Sequence, residues 1–211
     1  NHNLKWELLK DQKWERAWLD NFHPMKFGQR LWICPDGQRP KKEDGLFIDL
    51  DPGLAFGTGT HPTTALCLNW LEGKQLEGAE VMDFGCGSGI LTVAALKLGA
   101  AKVTAIDHDP QALDATRSNG EKNSVLNRLQ LFHSESVPAI KVDLIVANIL
   151  AGTLIDLEPT LAAHVKPDAK IVLSGLLSSQ AAQVSAAYAT DFELLEPETM
   201  EGWVLLEGSR R

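Results

Sequence analysis

The stretch Val81-Met82-Asp83-Phe84-Gly85-Cys86-Gly87-Ser88-Gly89-Ile90 restricts the folds open to this chain more than any other. An apolar run that ends in alternating glycines reads as a buried strand entering a sharp turn, with a helix behind it. Gly85, Gly87 and Gly89 leave a shelf without side chains above it. A strand, a glycine turn and a helix in that order are the opening unit of a parallel α/β sheet.

The remaining sequence repeats that unit. Helix Ile90–Leu98 closes at Gly99, and strand Lys102–Ile106 leads to Asp107. Asp109 caps the next helix, Gln111–Asn123, and Pro110 opens it. Strand Leu129–Phe132 is short, and Val142–Ala147 is the near-continuous apolar run of a central parallel strand. Helix Leu154–His164, strand Lys170–Leu173, helix Ser179–Ala189 and strands Phe192–Leu195 and Trp203–Leu206 follow. The link Glu196–Gly202 is too short for a crossover helix, so the last two strands should pair antiparallel. The expected fold is α/β, a doubly wound Rossmann-like sheet of seven strands, mostly parallel, with an antiparallel C-terminal strand.

Ligands of such sheets sit beyond the C-terminal strand ends, beside the glycine turn. A dinucleotide site needs G-x-G-x-x-G, and here Ile90 follows Gly89, so the third dinucleotide glycine is absent. Asp83 adds a negative charge at the strand end, which opposes a pyrophosphate and suits a ligand bearing a positive group. S-adenosylmethionine carries an ammonium and a sulfonium and fits that requirement. Asp107, about twenty residues past the turn, stands where a carboxylate accepts hydrogen bonds from ribose hydroxyls. Asn148, at the end of the fourth strand of the core, faces the same crevice. Its amide oxygen can accept a hydrogen bond from an incoming amine and aim the amine's lone pair at a methyl group. A bland alternative exists, since an asparagine at a strand end also makes turns with its own backbone.

Before the core lies Asp51-Pro52-Gly53-Leu54-Ala55-Phe56-Gly57-Thr58-Gly59-Thr60-His61-Pro62-Thr63-Thr64. Its glycines, threonines and lone phenylalanine exceed what a plain connection needs, and it reads as a ligand lid. Pro62 sits in the first turn of helix Thr63–Leu71, which a threonine can cap. His61 has no partner at metal-ligand spacing, so a structural or substrate-positioning role is expected and no metal site. Upstream, Gln29–Cys34 and Leu46–Leu50 read as strands around an exposed loop, Asp36–Asp44. Trp14 and Trp18 share a face of a helix-like segment, Lys5–Asp20, that either docks on a partner or packs on its own domain.

Composition removes other classes. A net charge of −8 argues against a general nucleic-acid binder and is compatible with a basic protein partner. No apolar run approaches the roughly 20 residues of a membrane span. Cys34, Cys67 and Cys86, odd in number and far apart, give no disulfide or zinc framework and fit a reducing, cytoplasmic setting.

The pattern Asp83-x-Gly85-x-Gly87-x-Gly89 with Asp107 resembles the first motif and the second-strand acid of class I S-adenosylmethionine-dependent methyltransferases. Asn148-Ile149-Leu150 is similar to the (Asp/Asn)-Pro-Pro-(Tyr/Phe) motif of amine methyltransferases, with the prolines and the aromatic replaced. That departure weakens the case for an acceptor stacked on an aromatic face. Taken with the threonine-rich loop and with Trp14–Pro35, these segments resemble the ribosomal protein L11 methyltransferase family (PrmA) over nearly the whole chain. The resemblance implies methyl transfer to lysine ε-amines and the N-terminal α-amine of large-subunit ribosomal protein L11. It also implies Thr64, Gly85, Asp107 and Asn148 as cofactor contacts, with Phe56 and Gly57 in the covering loop and Asp83 and Gly87 beside them.

Family members carry a separate recognition domain on a helical linker. By resemblance, residues 1–25 are that linker, 26–50 the first strands of the catalytic unit and 51–211 the methyltransferase domain, expected to act as a monomer. The tryptophan that follows the Pro35 position in the family is missing, since Asp36 and Gly37 stand there. Three other readings stay open: a different methyl acceptor, a nicotinamide-dependent oxidoreductase, and a cofactor-binding module without catalysis.

Overall fold

The computed structural model describes residues 23–35, 38–41, 44–50 and 59–211. The tryptophan-bearing segment Lys5–Asp20 and most of the glycine–threonine loop, with Phe56 and Gly57, lie outside the described residues.

The strands of the described residues form two sheets. The smaller joins β1 (Met25–Phe27), β2 (Leu31–Pro35) and β3 (Leu46–Leu50), with β1–β2 antiparallel and β2–β3 parallel. The larger has eight strands, built on β4 (Glu80–Phe84), β5 (Lys102–Asp107), β6 (Leu129–His133), β7 (Val142–Asn148) and β8 (Val165–Leu177). These run parallel in the order β6-β5-β4-β7-β8. Next to β8 lies β11 (Trp203–Arg210), antiparallel to it. Two short strands share the outer edge of β11: β9 (Phe192–Leu194) pairs its C-terminal half and β10 (Glu198–Met200) its N-terminal half. The expected seven lanes are therefore present, and the extra strand β10 comes from the Glu196–Gly202 link.

Helices cover both faces. On one side lie α1 (Pro62–Glu72), α2 (Ile90–Lys97) and α3 (Pro110–Lys122); on the other α4 (Ala151–Ala163) and α5 (Ala181–Tyr188). Each face has its own core. The first includes Val81, Leu144, Val146 and Val172 with Leu66, Val93 and Leu96; the second includes Met82, Ile145, Ile171 and Leu173 with Leu154, Leu161 and Val184. Alternation over Val81–Met82, Leu144–Ala147 and Ile171–Leu173 sends neighbouring side chains to opposite cores, as the period of two requires.

The small sheet packs on the α1–α3 side, where Leu31, Ile33, Ile48 and Leu50 join the first core. Asn123 holds its edge: Nδ2 donates to the Asp49 carbonyl at 2.8 Å and Oδ1 accepts from the Asp49 N–H at 3.0 Å. The side-chain amide thus takes the place of a neighbouring strand. No helix among the described residues is long and apolar enough to cross a membrane.

One buried carboxylate ties β11 and β8 to α1. Glu207 accepts from the Trp70 indole at 2.6 Å, from Lys74 at 3.0 Å and from Lys170 at 2.7 Å. Burial pushes the Glu207 carboxyl up, but the ammoniums and the indole N–H outweigh it and bring it down to about 2. A folded pKa below the unfolded value means the cluster stabilises fully above about pH 4.5 and fails as the pH falls toward 2. Glu207→Gln is expected to lose about 2 kcal/mol at pH 7, the exposed lysines reducing the full linkage value. Thermal melts of parent and variant should converge between pH 4.5 and 2.

Candidate active site

The C-terminal ends of β4, β5 and β7 open into one crevice. Gly85, Gly87 and Gly89 all take positive φ, at +83°, +54° and +78°, so the turn depends on glycine. The turn also uses most of its own donors. Gly85 and Cys86 N–H groups donate to the Ile106 carbonyl at 2.8 and 3.0 Å, Gly89 donates to Cys86, and Gly87 donates to Asp107 Oδ2 at 2.9 Å. A pyrophosphate cradle needs those N–H groups directed at the ligand. Here they are committed within the fold, which disfavours the nicotinamide-dinucleotide reading.

The carbonyl side of the turn is pinned from α3. Thr116 Oγ1 donates to the Gly87 carbonyl at 3.1 Å, and Asn119 Nδ2 donates to the Ser88 carbonyl at 2.8 Å. Both side chains are buried. Sequence reading missed them, because polar residues at positions 116 and 119 look like part of the solvated face of an amphipathic helix.

Asp107 is almost fully buried at the end of β5. Oδ2 accepts from Gly87, and Oδ1 accepts from the Asp109 N–H at 3.0 Å. The carboxylate therefore anchors the turn and the start of α3 at once. His108 Nδ1 also stands 3.3 Å from Oδ1, and Oδ2 keeps a further lone pair with which it could hold a ribose hydroxyl.

Asp83 occupies a different place from the one its sequence position implies. It does not line the crevice; it shares the α2 face of β4 with Val81. Oδ2 accepts from Thr92 Oγ1 at 2.6 Å, while the buried Oδ1 has no hydrogen-bond partner among the described residues. Burial pushes its carboxyl up to about 6, against the pull of Thr92. Asp83 thus places a carboxyl beneath the shelf rather than on it.

Thr64 and Asn148 meet across the crevice. Asn148 Nδ2 donates to Thr64 Oγ1 at 3.4 Å, joining the first turn of α1 to the end of β7 and leaving the amide oxygen to accept from a ligand. The cap of α1 is His61 and not a threonine: its Nδ1 accepts from the Thr63 N–H at 3.3 Å. Nδ1 also lies 2.8 Å from Thr63 Oγ1, so the ring is held at the start of α1 by two groups of one residue. The ring also stands edge-on to Trp203, with centroids 4.6 Å apart. Among the described residues no group of histidine, cysteine or acidic side chains could hold a metal ion.

Two cavities meet here. One, of about 560 Å³, lies over the glycine turn and is lined by Thr64, Gly85, Gly87, Asp107, Gln111 and Asn148, among others. The other, of about 720 Å³, shares Gly85, Asp107, Asn148 and Ile149 with the first and extends past Ser134 on one side and past His61, Leu150 and Trp203 on the other. Both volumes lie in the range usual for small-molecule sites. Ser134 was missed in the sequence. It directly follows β6, whose His133 is in register with Asp107, so the strand-end rule would have found it.

Ile149 sets the width between the walls. A Cβ on Gly85 would come within 2.3 Å of Ile149 Cγ2, and one on Gly175 within 2.3 Å of the Ile149 carbonyl oxygen. Gly175 has φ +87° and lies where the β8–β11 register shifts.

This sheet order, with its antiparallel last strand and a glycine turn facing a second-strand acid, defines the class I methyltransferase fold. Distant solved structures share it, such as an RNA methyltransferase from Salinibacter ruber in complex with S-adenosyl-L-homocysteine (15% identity, TM-score 0.56, 69% of this chain and 90% of that one). Closer likenesses narrow the class. The ribosomal protein L11 methylase of Lactobacillus delbrueckii subsp. bulgaricus has a TM-score of 0.79 at 34% identity, over 90% of this chain and all of that one. The ribosomal protein L11 methyltransferase of Pseudomonas putida (strain W619) is 53% identical over 206 residues, 97% of this chain and 70% of that protein. The one from Pasteurella multocida (strain Pm70) is 55% identical over 205 residues. Residues 1–211 match the ribosomal protein L11 methyltransferase (PrmA) family, and the chain belongs to that family.

Two glycine substitutions separate side-chain from backbone crowding around Ile149. Gly85→Ala and Gly175→Ala should each cost about 2–4 kcal/mol, from positive φ and overpacking together. In a double-mutant cycle read by chemical denaturation, Ile149→Ala should couple to Gly85→Ala by at least about 1 kcal/mol. It should couple hardly at all to Gly175→Ala, whose clash is with the backbone.

Proposed function

We propose that this protein transfers methyl groups from S-adenosylmethionine to amines of ribosomal protein L11, the lysine ε-amino groups and the N-terminal α-amino group. Family membership supports the acceptor. The observation that carries the chemistry is the meeting of two cavities at Asn148, one over the glycine turn and one open toward Trp203.

The residues present fit the cofactor. Most of the shelf's donors are already satisfied internally, so it suits a ligand without phosphates, and the Asp83 carboxyl beneath it favours positive charge. Asp107 would hold the ribose hydroxyls, Thr64 and Gly87 would border the amino-acid portion, and Ser134 and Ile149 would flank the base. The sulfonium supplies an activated methyl group, which leaves alignment as the main task of the protein.

Asn148 performs that alignment. With Nδ2 held by Thr64, its oxygen accepts from the incoming amine and fixes the direction of the lone pair. The amine must arrive unprotonated. A lysine at about 10.4 is mostly charged at neutral pH, an α-amine near 8 much less so. Rate should therefore rise with pH through the neutral range, and more steeply for lysine. A ribosomal-protein acceptor also implies work in the cytoplasm.

The test combines cofactor titration with transfer of labelled methyl groups to ribosomal protein L11. Asp107→Ala should weaken cofactor binding at least tenfold, the loss expected for hydrogen bonds to a charged group. Asn148→Ala should change that affinity only a few-fold while lowering turnover by about a hundredfold. Unchanged cofactor affinity in Asp107→Ala would overturn the assignment of the ribose clamp.

A further inference from the structure

One crossover of the large sheet lacks its helix. The links from β4 to β5, β5 to β6 and β7 to β8 carry α2, α3 and α4. The link from β6 to β7 is only residues 134–141, with one 3₁₀ turn at Ser134–Ser136 and no α-helix. A parallel crossover usually takes a dozen or more residues and contains a helix. Here Val137 and Ile140 of the link pack on the second core, and so does Phe132, which stays only partly buried. Such a tether covers a strip narrower than the roughly 10 Å of a helix.

A cleft therefore remains between the tether and α4. The larger cavity extends into it. Thr153, Leu157 and Thr160, four and three positions apart on one face of α4, line it from the helix. Phe84, His108 and Ser134 line it from the strand ends and the tether. Its wall is fixed in advance by a histidine ring. His133 Nε2 donates to the His108 carbonyl at 2.9 Å, and Nδ1 accepts from the Glu135 N–H at 3.3 Å. One side chain thus holds the ends of β5 and β6 and the first turn of the tether.

The cleft is continuous with the space over the glycine turn, because Gly85, Asp107 and Ile149 line both cavities. With Asp107 on the ribose and Ser134 and Ile149 beside the base, the outer edge of the base faces the cleft. We infer that this cleft is an annex of the cofactor site, which takes a flat, uncharged substituent carried on the exocyclic amine of adenine. The inference rests on the S-adenosylmethionine reading and specifies how the site selects its cofactor: closely at the ribose, loosely at the outer edge of the base. Phe84 and Leu157 supply apolar contact. The hydroxyls of Ser134, Thr153 and Thr160 each donate or accept, so they impose no single hydrogen-bonding pattern on what enters.

The test compares S-adenosylhomocysteine with its N6-benzyl derivative by titration calorimetry and methyl NMR. The benzyl ligand should bind within about threefold of the parent ligand, its added contacts offsetting the cost of ordering the ring. Its ring current should move the methyl resonances of Leu157 and Thr160, where S-adenosylhomocysteine leaves them nearly in place. Thr160→Trp fills the cleft from an exposed position on α4. It should weaken the benzyl ligand at least about tenfold through overpacking, and S-adenosylhomocysteine less than about twofold. Because the methyl shifts are read on the unsubstituted protein, they decide the question whatever the stability of the variant. Binding of the benzyl ligand about a hundredfold weaker than S-adenosylhomocysteine, or tight binding with Leu157 and Thr160 unmoved, would overturn the annex. Failure of both ligands to bind would instead remove the cofactor reading, and the annex with it.

Discussion

The hydrogen bond from the Gly87 N–H to Asp107 Oδ2 joins the two parts of the molecule that the site depends on. It fixes the glycine turn after β4 to the acid that ends β5, and the other oxygen of that acid fixes the start of α3. From α3, Thr116 and Asn119 return to the carbonyl side of the same turn. The turn, the acid and the helix thus form a closed ring of hydrogen bonds. Each member is held by the other two, so the surface they present to a ligand is set before the ligand arrives. Preorganisation of this kind is what an alignment-dependent reaction requires.

A second ring surrounds Ile149. Its side chain fills the space left by the missing Cβ of Gly85, and its backbone fills the space left by Gly175. The Ile149 N–H donates to the Ser174 carbonyl at 3.2 Å, and Ser174 Oγ donates to the Val204 carbonyl at 2.9 Å. Asn148 is consequently positioned by a chain of contacts running through β8 to β11. The two meet at Gly85, which belongs to the glycine turn and packs on Ile149, beside the place where the cavities join.

How much of this was legible depended on sequence distance. Thr64, Gly85, Asp107 and Asn148 stand at ends of elements with strong local signals, and all four line the crevice. Asp83 was placed on the ligand side because charge at a strand end was given more weight than periodicity. Val81 is buried toward α2, and a residue two positions on must follow it. Gly175, Leu150 and Trp203 could not be ranked from the sequence. Gly175 matters because of a backbone 26 positions away in the chain, and a bulge in a long strand has no local signature. Strand β10 was hidden because its three residues, Glu198–Met200, carry no apolar pattern of their own and pair by turning back at Glu201 and Gly202 onto Trp203–Leu205.

The two helices that open onto the crevice begin differently, and the difference bears on the proton an acceptor amine must lose. At α1, His61 Nδ1 satisfies an N–H of the first turn. At α4 the N-cap side chain satisfies no N–H, and the positive end of that helix's dipole lies next to Asn148. An ammonium brought there would be stripped of water by Leu150 and Trp203 and opposed by the helix end. Both effects favour the neutral amine. Under the proposed amine transfer, an acceptor that gives its proton to bulk water as it enters would need no dedicated base.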